Sequence, residues 1–94
     1  MQIDKKLIES ALRKKGFIVE VGSHKYFYHE VNGKRTGVHT YTSHGSGYKT
    51  YGDNLLNLMK KQLRLDTLNQ VKRLVECPMD VEEYNTILKQ KGIF

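Results

Sequence analysis

Hydrophobic residues first recur at Leu7, Ile8, Ala11 and Leu12, the i, i+1, i+4, i+5 spacing that gathers side chains on one face of a helix. Lys5, Lys6, Arg13 and Lys14 fall mostly elsewhere, so a helix is predicted from Asp4 to Lys15, ended by Gly16. The period then changes. Residues 17–21, Phe-Ile-Val-Glu-Val, are strand formers; Gly22-Ser23 interrupts them, and the segment from Lys25 to Val31 resumes with Tyr26-Phe27-Tyr28. Asn32-Gly33, a pair that tolerates positive φ at both central turn positions, leads into a third strand from Thr36 to Thr42. The three segments read as an antiparallel meander.

Residues 43–52 are rich in glycine and lack apolar periodicity, which predicts an exposed flexible loop. Helical spacing returns with Leu55, Leu56, Met59 and Leu63, and Asp53 is the expected cap. Two shorter helices are predicted beyond it. Asp66 would cap one running to about Glu76 (Leu68, Val71, Leu74 and Val75 inward), and Asp80 one running to Lys91 (Val81, Tyr84, Ile87 and Leu88 inward), with Pro78 between them. The order helix, three strands, helix, then two short helices, describes an α+β fold with helices over one face of a three-stranded sheet. The 94 residues fit one domain, with a core over 1–65 and a helical extension over 66–94.

Composition narrows the partners. Sixteen Lys and Arg against ten Asp and Glu give a net charge of +6, which favours a polyanion such as RNA, DNA or an anionic membrane surface. No apolar run approaches the roughly 20 residues that span a bilayer, and residues 1–6 lack the apolar core of a signal peptide, so a cytoplasmic protein is expected. Cys77 is the single cysteine, excluding an internal disulfide and a cysteine-based structural metal site, and it reads as a buried thiol closing a helix.

The four histidines, His24, His29, His39 and His44, all lie in the strand region and the loop after it. His24 follows a glycine break, where a side chain projects from a sheet end towards solvent, and an imidazole near its usual pKa suits proton transfer at neutral pH. Taken alone, the position fits a turn histidine bonded to its neighbours better than a catalytic one. A metal site is disfavoured, because no His-x-His or His-x-x-x-His pair sets ligands together; neither metal nor other cofactor is expected. Tyr48 and Tyr51, in the loop, are the stacking candidates for unpaired bases, whereas Tyr26, Tyr28 and Tyr41 read as ordinary strand residues. Lys25, Lys34, Arg35 and Lys49 are candidate phosphate contacts. Lys60 and Lys61, in the run Lys60-Lys61-Gln62-Leu63-Arg64, suit either phosphates or the negative end of a helix dipole.

Three segments together resemble the HicA family of toxins: the basic helix ending in Lys14-Lys15-Gly16-Phe17, the break Gly22-Ser23-His24 followed by aromatic strand residues, and a histidine after the third strand ahead of Leu55-Leu56-Asn57-Leu58-Met59. Some members share the Asn-Gly-Lys-Arg hairpin, the Thr40 to Gly45 segment and a tail like Glu76 to Tyr84. The resemblance implies a double-stranded-RNA-binding-like fold and an mRNA endoribonuclease of a toxin-antitoxin pair, with a HicB-like antitoxin as partner. It assigns catalysis to His24; Ser23 and His44 are the candidates to support it. Shorter members stop soon after the second helix and carry a proline near the third strand, where this chain has Thr42-Ser43 and about 30 further residues. The added helices would dock an antitoxin, lengthen the RNA surface or complete the core, and their apolar stripes favour the core. Two other readings stand beside cleavage: a non-catalytic RNA-binding module on the same sheet, and DNA binding by the helices between Leu65 and Lys91.

Overall fold

The computed structural model describes residues 1–43, 49–76 and 78–94. Its elements run β1 (Ile3–Asp4), α1 (Lys5–Lys14), β2 (Phe17–Val21), β3 (Lys25–Val31), β4 (Lys34–Thr42), β5 (Thr50–Tyr51), α2 (Asp53–Gln62), α3 (Leu68–Val75) and α4 (Val81–Gln90). The central sheet is the predicted antiparallel meander, ordered β2-β3-β4. Asn32 and Gly33 join β3 to β4 with φ of 53° and 78°, as a two-residue turn of this hand requires.

Strand alternation sorts the sheet into two faces. Phe17, Phe27, His29, Val38, Thr40 and Thr42 point inward and are buried. There they meet Ile8, Ala11 and Leu12 of α1, Leu56 and Met59 of α2, and Val71, Leu74, Val75, Tyr84 and Leu88 of the last two helices, all in one core. The helices therefore cover one face, and the extension completes the same core. Thr40 and Thr42 are accommodated there because each hydroxyl donates: Thr40 to Gln62 Oε1 at 2.6 Å and Thr42 to Glu9 Oε2 at 2.6 Å. The register of β3 with β4 slips between Tyr28 and Glu30, opposite Gly37, whose φ of +92° lets β4 bulge without a Cβ penalty.

Three local expectations are corrected. Residues 50–51 are not loop: β5 pairs antiparallel with β1, Ile3 opposite Tyr51, tying the start of the chain to the approach of α2. Gly52, not Asp53, is the N-cap of α2, and the Asp53 carboxylate instead meets the Met1 ammonium at 3.0 Å. Thr67, not Asp66, caps α3 through a capping box with Gln70, while Asp66 accepts from Lys91 Nζ at 2.6 Å. Asp80 caps α4 as expected, accepting from the Glu83 amide. Cys77 lies outside the described residues, and among those no helix is long and apolar enough to cross a membrane.

Candidate nucleic-acid interface

The face of the sheet away from the helices carries a block of rings. Tyr26 lies opposite Tyr41 and Tyr28 opposite His39 in the β3–β4 register, because aromatic residues two apart on each strand share a face. Ring centroids are 6.1 Å apart for Tyr26–Tyr41, 6.3 Å for Tyr26–Tyr28 and 5.7 Å for Tyr28–His39. His24, in the β2–β3 turn, extends the block at one end, 5.1 Å from Tyr41 and edge-on to Tyr26 at 6.0 Å. Tyr41 and His39 are exposed, while Tyr26, Tyr28 and His24 are half-buried.

The turn that presents His24 is closed by a hydrogen bond from the Gly22 amide to the His24 carbonyl at 2.9 Å. The Ser23 hydroxyl lies 3.4 Å from the Tyr26 phenol, within this corner but turned to Tyr26. Nδ1 of His24 is buried and has no hydrogen-bond partner among the described residues. A general base ordinarily has an acceptor on that nitrogen to fix the tautomer; among the described residues the His24 ring is instead positioned by packing on Tyr41 and Tyr26.

The basic candidates do not converge on His24. Lys25 follows it in sequence but points inward, where its ammonium lies 3.5 Å from the buried Glu9 carboxylate. Lys34 and Arg35 begin β4 at the far end of the β3–β4 hairpin, their backbone about 20 Å from His24 at the usual rise of a strand. The Arg35 guanidinium lies 4.0 Å over the Tyr28 ring and pairs with Glu20 and Glu30. Lys49 is exposed beside β5, its carbonyl accepting from the Lys5 amide. Lys60 and Lys61 occupy the last turn of α2, of which Lys61 joins Gly37, His39, Gln62 and Arg64 in lining a cleft of about 280 Å³.

The expectation that Tyr51 stacks on bases is corrected. Tyr51 is only 5% exposed, its phenol accepts from the Ser43 amide at 3.2 Å, and its ring is unavailable to a base. Tyr26, Tyr28 and Tyr41, read as ordinary strand residues, form the open aromatic face instead. Tyr48 and His44 lie outside the described residues. Sequence reasoning gave no role to His39, one of the four histidines, or to Arg64 at the end of the basic run; the alternation Tyr26-x-Tyr28 and His39-x-Tyr41, out of phase with Phe27 and Val38, is the signal that finds the face.

His29 belongs to the core. Its ring packs on Phe17, Tyr84 and Phe94, and burial lowers its pKa, an effect partly opposed by its hydrogen bond to Asn85. Among the described residues no three His, Cys, Asp or Glu side chains are grouped as a metal site would need. No protein-family model, curated protein or solved structure matches this chain.

Proposed function

We propose that this protein is an RNA-binding toxin of the HicA type, an endoribonuclease that cuts mRNA in the cytoplasm and is held in check by a HicB-like antitoxin. The observation that carries the reading is the open block of rings that ends in His24 on a chain of net charge +6, since aromatic rings beside cations suit unpaired bases and phosphates. His24 takes the proton of a ribose 2′-OH, that oxygen attacks the adjacent phosphorus, and the P–O5′ bond breaks as the 5′-oxygen takes a proton from water. The products are a 2′,3′-cyclic phosphate and a 5′-hydroxyl, and the step needs no metal. Replacing His24 by Ala should lower cleavage about 10²–10⁴-fold and abolish growth arrest while leaving the fold intact, as read by a cooperative urea transition. An active His24→Ala protein overturns the assignment.

The unpartnered Nδ1 of His24 favours a second reading, a non-catalytic RNA-binding module. Labelled RNA that stays intact yet is bound, with affinity falling steeply as salt rises, selects it.

A further inference from the structure

Resting on the RNA reading, we infer that the strip along β4 is a track for single-stranded RNA, with two successive bases stacking on Tyr41 and His39 and the backbone lying at the α2 edge. Tyr41 and His39 are two residues apart on one strand, so their rings emerge on the same face about 6.6 Å apart, backed from β3 by Tyr26 and Tyr28. Both are exposed, whereas Tyr28 is already covered by the Arg35 guanidinium.

Charge places the backbone on the same side. Towards β2 the open face is net negative, because the single Arg35 guanidinium is shared by the Glu20 and Glu30 carboxylates. Towards α2, Lys61 and Arg64 form no ion pair among the described residues and line one cleft with His39. Gly37 contributes to the wall of that cleft, and a Cβ there would meet nothing within 4 Å. Arg64 is held at a positive φ of 61°, a conformation costly for a side chain other than glycine. A strand lying this way passes His39, then Tyr41, then His24, and brings the next linkage to the proposed catalytic imidazole. A duplex cannot use the track, since its bases are stacked on one another and its outer surface offers phosphates and 2′-hydroxyls.

The test uses a fluorescein-labelled 2′-O-methyl oligouridylate, which cannot be cut because its attacking hydroxyl is blocked, and the same strand annealed to its complement. Anisotropy should show the single strand bound at least about tenfold more tightly than the duplex. Tyr41→Ala and His39→Ala should each weaken single-strand binding about tenfold, with Tyr41→Phe retaining it. Lys61→Gln with Arg64→Gln should reduce the slope of log affinity against log salt by about 1.4. Wild-type affinity in Tyr41→Ala and His39→Ala, or a preference for duplex, overturns the track while the RNA reading stands. Failure of the wild-type protein to bind either form overturns both.

Discussion

His29 and Asn85, 56 positions apart, share a 2.8 Å hydrogen bond that joins the middle of the sheet to the last helix. The Asn85 oxygen accepts, so Nε2 carries the proton, and Nδ1 accepts from the Thr36 hydroxyl at 2.8 Å. The imidazole is thus held neutral, and its folded pKa lies below 6.5 because burial penalises the cation. Between the folded and unfolded values the unfolded chain binds more protons. This contribution to stability is therefore complete above about pH 6.5 and is lost as the pH falls through the lowered folded value. Urea midpoints should drop from pH 7.5 to 5.5, and His29→Gln, which cannot titrate, should flatten that trend. An unchanged slope would remove His29 as its source.

Arg64 occupies the left-handed position after α2, where Leu65 N donates back to Lys60 O at 3.0 Å and Arg64 N to Lys61 O at 3.2 Å. Helices usually end this way on glycine. Arg64→Gly should raise stability by about 0.5–1 kcal/mol in urea titrations and at the same time weaken RNA binding, opposite signs that a purely structural arginine would not produce.

The N-terminal cap of α3 separates two neighbouring side chains. Thr67→Ala should cost about 1 kcal/mol, since its hydroxyl accepts from the Gln70 amide at 3.1 Å. Asp66→Ala removes only a surface ion pair with Lys91 and should cost well under 1 kcal/mol. Comparing the two urea midpoints checks the assignment.

Tyr84 is fully buried and its phenol donates to the Leu63 carbonyl at 2.8 Å, while burial pushes its pKa up. Tyr84→Phe keeps the ring and orphans the carbonyl, which should cost about 1–3 kcal/mol. The same denaturation assay reads it; a neutral substitution would mean that water replaces the lost donor.

What the sequence disclosed followed the range of the forces involved. The turn at Asn32-Gly33 and the apolar stripes of the four helices depend on near neighbours, and they were legible. Caps shifted by one residue because Asp53 and Asp66 are good caps by type but are drawn to cations elsewhere, the Met1 ammonium and Lys91. The burial of Tyr51 could not be read locally, because its strand partner Ile3 lies 48 positions earlier, at the start of the chain. At the candidate site, the place of His24 in the turn between β2 and β3 was legible, but its half-burial against Tyr26 and Tyr41 was not, because those rings come from strands paired across the sheet. Nor was its separation from Lys34 and Arg35, since that distance is set by strand length and register.

Six of the eighteen buried apolar side chains among the described residues come from beyond residue 65: Val71, Leu74, Val75, Met79, Tyr84 and Leu88. The acceptor for His29 Nε2 comes from there too. A minimal version trimmed to the helix, three strands and helix would lose the floor beneath the sheet whose opposite side carries the rings. The tail and the aromatic surface thus stand or fall together, and a chain without the tail would have to seal that floor with different side chains.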